Sequence, residues 1–403
     1  MSVSLRGARQ VLRPPEDGLA FLRHDRAGSM RSPAGSVSTD GAAIAALDDD
    51  PGADVVVDAS GGAIVPGFVD CHTHLPFAGW RADEYERKVT GVPYDTIARA
   101  GGGIAASARA LREAGDAEVL GQARAVRAEM LWHGTTTFEA KTGYGLSPDG
   151  EARLVRLGRE LGADAVTGLF AHALPEAYDH AGWMDEVDRL AATCPVDALD
   201  IYVESVAFRN ADLERLGAIA AREGVALRAH VEQFNANRSV PVALAAGARS
   251  VDHLACLDPR DLGALCATEC AAVLLPGAEL LGDERVAPGR PLADGGAICV
   301  IATDCNPGTS PVASLPVVAG LAVRRYGWSV REALLACTLN AAWVLGMSDR
   351  LGSIEVGKQA DLLVLDGPIE HVPYRFARNP VAVVVRAGEV VWVRPDQAWR
   401  VGA

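Results

Sequence analysis

The chain is poor in positive charge and has no closely spaced cysteines. Lys and Arg number 38 against 52 Asp and Glu, so the formal net charge is −14. That balance argues against a nucleic-acid partner and against an anionic membrane surface. The eight cysteines (Cys71, Cys194, Cys256, Cys266, Cys270, Cys299, Cys305 and Cys337) form no C-x-x-C pair and lie in apolar segments. They read as reduced thiols of a cytoplasmic protein. No apolar run reaches the roughly 18 residues of a membrane span. Residues 1–30 lack the basic start and apolar stretch of a signal peptide. Low-complexity tracts are absent as well.

What is present suits a soluble enzyme. Hydrophobic residues make up 49% and charged residues 22% of 403 residues, enough to bury a sizeable core without disulfides. Short apolar, β-branched runs begin near Ile64, Thr135, Ala165, Leu199, Val225, Ser250, Ala272 and Ile298. The last five starts recur every 22 to 26 residues, with helix-like stretches over 212–223 and 258–268 between them. Strand and helix alternating at a steady interval predict βα units, and eight of them predict a closed (β/α)8 barrel. The long gap over 70–134 should hold a loop and a helix within 105–132. Strand candidates at 55–58, 360–365, 381–386 and 389–393 lie outside the barrel. The expected organisation is therefore a barrel over 64–352, with 1–63 and 353–403 meeting as one small β-rich sandwich domain. Residues 11–51 carry no clear pattern.

The sharpest local signal is Pro66-Gly67-Phe68-Val69-Asp70-Cys71-His72-Thr73-His74. Residues two apart in a strand share a face, so His72 and His74 project together from the end of the first strand. A lone H-x-H is common by chance. Here His230, His253 and Asp304 also fall at the ends of apolar runs, on the barrel face that carries active sites. His72, His74, His230 and Asp304 are the predicted ligands of one divalent metal per chain. Three imidazoles and a carboxylate suit zinc or iron(II). A second, bridged metal is not expected, because the fourth strand ends Tyr202-Val203-Glu204 without a lysine; Glu204 reads as a supporting residue. The run Gly101-Gly102-Gly103 lacks the lysine-serine pair of a phosphate loop and reads as a flexible loop near the site mouth. Glu139 and Lys141 read as a buried pair supporting the second strand.

These motifs resemble the amidohydrolase superfamily. Within it, Ala140-Lys141-Thr142-Gly143-Tyr144-Gly145-Leu146, Ala171-His172-Ala173 and Thr303-Asp304-Cys305-Asn306-Pro307-Gly308 are similar to the imidazolonepropionase family of histidine degradation. The resemblance covers residues 65–391 and implies hydrolysis of the cyclic amide of 4-imidazolone-5-propanoate to N-formimidoyl-L-glutamate. It implies that Asp304 takes a proton from water and that His253 stabilises the oxyanion or relays the proton. It also places an anionic small-molecule substrate against Arg81, Tyr144, His172, Gln233, Asn306, Gly308 and Thr309, and a homodimer is expected. One departure stands out. Some family members carry a glutamate three residues after the fifth-strand histidine, where this chain has Gln233. An amide cannot act as a base near neutrality, which leaves that role to Asp304 or His253. The alternatives are a related amidohydrolase acting on another cyclic amide, a ring deaminase, and a barrel without catalytic activity.

Overall fold

The computed structural model describes residues 1–48, 52–92, 96–97, 100–282, 285–376 and 378–402, so the end of the unpatterned 11–51 segment lies outside the described residues. Eight parallel strands follow one another in sequence order: Phe68–Asp70, Thr135–Lys141, Ala165–Ala171, Ala198–Val203, Ala226–Val231, Ser250–His253, Ala271–Leu274 and Ile298–Ile301. The expected starts agree to within one residue for all but the first. The sheet closes on itself beyond the ends of its first and eighth strands. There His74 N–H donates to the Cys305 carbonyl at 2.9 Å and Asp304 N–H to the His72 carbonyl at 3.0 Å. Closure thus runs through the segments that hold the predicted ligands His72, His74 and Asp304.

The helices between strands start and stop where local chemistry dictates. Ser147 caps Pro148–Leu161 by accepting from Gly150 N–H, and Gly162 ends it at φ 80°. Ser329 and Glu332 form a reciprocal capping box on Val330–Ala336. The gap after the first strand holds Ala82–Val89, Ile104–Glu113 and Asp116–Trp132, so the helix expected within 105–132 is broken into two at Ala114-Gly115. Among the described residues no helix is long and apolar enough to cross a membrane.

Both ends of the chain build two five-stranded sheets. One contains Val3–Ala8, Gly35–Asp40, Ala43–Leu47, Val55–Asp58 and Val401–Gly402; the other Gln10–Val11, Ala63–Pro66, Leu362–Leu365, Val381–Arg386 and Glu389–Val393. Val3, Leu5, Val37, Val57, Ile64, Leu362, Val364, Val383 and Val385 pack together between them. Leu363, Leu365, Val381 and Val384 point the other way, into the barrel's apolar core. Strands buried on both faces need no polar alternation, which is why these runs are continuously apolar.

The first barrel strand begins later than expected, at Phe68 rather than near Ile64. Ala63–Pro66, expected to open the barrel, pairs instead with Leu362–Leu365 and Gln10–Val11 in the sandwich. The run is divided at Gly67, where a Cβ would lie 2.2 Å from Thr136 Oγ1, and the barrel begins at Phe68. The segment without pattern also has a defined place. Leu12, Leu22, Ala27 and Met30 join the barrel core. Arg23 donates to the carbonyls of Cys266, Thr268 and Gly296, and the Asn340 amide pairs with both backbone groups of Leu22.

Candidate active site

His72 and His74 follow the first barrel strand, His172 follows the third, His230 lies in the fifth, His253 ends the sixth and Asp304 follows the eighth. All are buried. Donor atoms of His72, His74 and His230 lie within 4.8 Å of one another. Asp304 Oδ1 sits 3.1 Å from His74 Nε2 and 3.5 Å from His72 Nε2. The four predicted ligands therefore converge.

Two of the imidazoles are oriented from behind. His72 Nδ1 lies 2.6 Å from Asp252 Oδ2, and His230 Nδ1 lies 3.1 Å from Asp200 Oδ1. A carboxylate only accepts, so each Nδ1 carries the proton and each Nε2 turns its lone pair towards the centre. Both Nε2 atoms are buried without a hydrogen-bond partner. An acceptor on His72 thus faces an acceptor on Asp304, an arrangement that a cation between them relieves. The donor set and the unpartnered nitrogens fit a divalent metal. Asp200, His230 and Asp252 also lie close enough to hold an ion, but Lys141 and Arg228 already pair with those two carboxylates.

Electrostatics agree with a site that attracts positive charge. Burial and the Lys141 charge oppose protonation of His72, yet Asp252 and Asp304 raise its pKa. Burial alone would raise the Asp304 carboxyl, but His72 and His74 hold it well below the usual carboxylate range. Burial lowers His74 to about 4 and His253 to about 3. It also lowers His230, and lowers His172 well below the ordinary value with help from His74 and His230. These are neutral imidazoles near pH 7, able to offer a lone pair. His253 and Asp304 hold φ values of 80° and 52°, strained backbone of the kind that collects at functional sites.

A cleft opens over this centre. His74, Arg81, Tyr144, His172, His230, Gln233, His253, Asp304, Asn306 and Thr309 line it, joined by Ile104, Tyr202 and Phe234, which the sequence reading missed. His72 lies beneath the lining. Arg81 is 9% exposed, which excludes a solvated loop arginine. Its Nη1 donates to Gly103 O at 2.8 Å and Ser107 Oγ at 2.6 Å, and its Nε lies 3.1 Å from Glu84 Oε2. Gly103, the last of the three glycines, therefore helps seat the arginine. Gly308 packs under the Arg81 guanidinium.

The Tyr144 loop winds round a buried carboxylate absent from the sequence reading. Glu151 accepts from the N–H groups of Gly143, Gly145 and Leu146 at 2.7–3.0 Å. Gly143, at φ 111°, leaves no room for a side chain, since a Cβ would lie 2.7 Å from His172 Nδ1. That nitrogen donates to the Gly143 carbonyl at 3.1 Å, leaving Nε2 as an acceptor. Asn306 spends its amide within its own loop: Oδ1 accepts from Gly308 and Thr309 N–H, and Nδ2 donates to the Asp304 carbonyl. Its clearest function is to shape the turn that carries Asp304 and supports Arg81.

Glu204 accepts from Phe234 N–H, Asn235 N–H and Asn235 Nδ2 at 2.6–3.2 Å, so it pins the loop after the fifth strand. Glu232, next to Gln233, accepts from Ser239 and Val240 N–H and is turned towards a helix start. It does not stand in for the missing glutamate. Asp200, Arg228 and Asp252 also went unread. A charged residue two positions before a ligand shares its face; Arg228 before His230 was that signal.

A model of the amidohydrolase family matches residues 63–391. An imidazolonepropionase of Herpetosiphon aurantiacus is 38% identical over 361 residues, covering 84% of each chain. One from Cupriavidus necator is 42% identical over 350 residues, covering 83% of each. Among solved structures, guanine deaminase from E. coli superposes with a TM-score of 0.69 at 15% identity, covering 98% of this chain and 99% of that one. An adenosine deaminase from Xanthomonas campestris, solved with bound zinc, gives 0.68 at 19% identity, covering 97% and 93%. These structural likenesses speak to the fold.

Proposed function

The chain belongs to the amidohydrolase family, among its imidazolonepropionases, and we propose how its cleft carries out their reaction. That reaction is hydrolysis of the cyclic amide of 4-imidazolone-5-propanoate to N-formimidoyl-L-glutamate, a step of histidine degradation. The observation that carries the reading is a buried arginine opening on the same cleft as four convergent ligands. A neutral nucleobase would not call for such an arginine, so the cleft favours an anionic substrate over a ring-deaminase substrate.

His72, His74, His230 and Asp304 would hold one divalent cation, zinc or iron(II). Such an ion, when bound, supplies Lewis acidity towards water and towards the ring carbonyl. Arg81 binds the propionate carboxylate through a charge-assisted hydrogen bond. Tyr144, His172 and Gln233 hold the ring, within a floor shaped by Asn306, Gly308 and Thr309. Water adds to the ring carbonyl carbon while the Asp304 carboxylate accepts its proton. His253, neutral through burial, stabilises the developing oxyanion or passes the proton to the ring nitrogen as the carbon–nitrogen bond breaks. Gln233 orients without exchanging protons. The eight cysteines are free thiols, which suits a reducing cytoplasm.

The test is direct. Purified protein incubated with enzymatically generated imidazolone propionate should abolish its ultraviolet absorbance, lose this activity on chelation and regain it with metal. Absorbance unchanged at any metal loading would overturn the assignment.

A further inference from the structure

Behind the ligands lies a network of five charged side chains, all at most 1% exposed: Glu139, Lys141, Asp200, Arg228 and Asp252. It has two arms of the same chemical order. In one, Glu139 Oε1 meets Lys141 Nζ at 3.2 Å, Lys141 meets Asp200 Oδ2 at 2.7 Å, and Asp200 holds His230 Nδ1. In the other, Glu139 Oε1 meets Arg228 Nη1 at 2.5 Å, Arg228 Nη2 meets Asp252 Oδ2 at 2.8 Å, and Asp252 holds His72 Nδ1. The arms meet at one oxygen of Glu139, which also accepts from Thr167 Oγ1.

We propose that Glu139 is a positioning residue that aims two metal ligands, His72 and His230, from a single point. The inference rests on the metal-site reading above and extends it two residues deeper into the barrel. Buried ion networks are often no more stabilising than well-packed apolar residues of the same volume, so fold stability alone does not account for five charges here. Orientation does. Each ring has its Nδ1 proton held by a carboxylate, and each carboxylate is held by a cation that Glu139 fixes. Arg228 adds a second restraint on the His72 side by donating to the Cys71 carbonyl at 2.7 Å. Charge supplies a further argument: three carboxylates against two cations leave one excess negative charge beneath a site for a dication. Replacing Glu139 by glutamine removes that excess and loosens both arms together.

The experiment titrates the metal-free full chain with cobalt(II) and reads affinity and the visible spectrum, with circular dichroism as the control for folding. Wild type should bind one equivalent. Glu139→Gln should bind about 10- to 100-fold more weakly, the range seen when groups behind a ligand are removed, with an altered spectrum. On an Asp200→Asn background the same substitution should cost less than on wild type, because one arm is already cut. Wild-type affinity and spectrum in a folded Glu139→Gln would overturn the proposal while leaving the metal site intact. If Glu139→Gln does not fold, Thr167→Val decides, since it removes one hydrogen bond and no charge. It should weaken cobalt about 2- to 13-fold, and unchanged affinity and spectrum would overturn the proposal. A wild type that binds no cobalt overturns both the proposal and the reading beneath it.

Discussion

Gly308 and Arg81 are in contact such that a Cβ on the glycine would lie 1.7 Å from the arginine's Nη2. Only a residue without a Cβ leaves the guanidinium its place. Gly308→Ala should displace Arg81 and raise KM by about 10- to 100-fold, since a shift of about 1 Å in a positioning group has costs of that order. Thermal stability should change little. An alanine variant with wild-type KM would show that Arg81 does not seat the substrate.

Arg81→Met tests the same clamp by removing the charge. A charge-assisted hydrogen bond contributes about 1.5–3 kcal/mol, so kcat/KM should fall about 10- to 200-fold, mostly through KM because the propionate is remote from the reacting carbonyl. Unchanged steady-state kinetics would point to a different substrate.

Gln233 and His253 should separate cleanly. Losing one neutral hydrogen bond costs about 0.5–1.5 kcal/mol, or some 2- to 13-fold, whereas a positioned acid or base contributes about 10²- to 10⁴-fold. Gln233→Ala should therefore retain far more kcat than His253→Ala and keep the shape of the pH–rate profile. Metal content measured beside the rates excludes ligand loss. Equal inactivity of the two metal-loaded variants would show that the amide does more than orient.

Much of this site was legible because its ligands sit at strand ends. Eight apolar runs marked the barrel, and His72, His74, His230, His253 and Asp304 lie at the ends of four of them. What escaped was whatever depends on pairing distant in sequence. Asp252 meets His72 across 180 residues and Arg228 meets Glu139 across 89; neither leaves a periodic trace. Residues 12–30 were opaque for the same reason: beyond a short 3-10 helix at His24–Ser29, side-chain to backbone bonds from Arg23 and Asn340 hold them. The first strand misled because Ala63–Pro66 and Phe68–Asp70 read as one apolar run, and only the backbone approach at Gly67 divides them.

Glu151 should prove structural for the substrate loop. Glu151→Ala strands three backbone N–H groups, two of them fully buried, and should lower stability by about 3 kcal/mol. Tyr144 and His172 lose their support, so KM should rise. Urea unfolding that matches wild type would contradict the role given to this carboxylate.

His24 predicts an acid sensitivity unrelated to catalysis. It is fully buried beside Trp328, neither ring nitrogen has a hydrogen-bond partner, and burial lowers its pKa to about 3 despite Glu332. The unfolded chain takes up the proton near pH 6.5 while the folded chain refuses it. Its stabilising effect is therefore complete above about pH 6.5 and is lost as pH falls towards 3, by up to about 1.4 kcal/mol per unit. Between pH 7 and 5, His24→Leu should lose about 2 kcal/mol less stability than wild type in urea titrations at equal metal loading. Parallel losses in the two proteins would refute it.

Titrating metal-free protein with zinc or iron(II), while following loss of the substrate's ultraviolet absorbance, asks whether the chain is a single-metal hydrolase of imidazolone propionate. The rate should climb linearly and break at one equivalent per chain, and an Asp304→Ala/His230→Ala double variant should show no such rise. A break at two equivalents, or activity that never depends on added metal, would show that it is not.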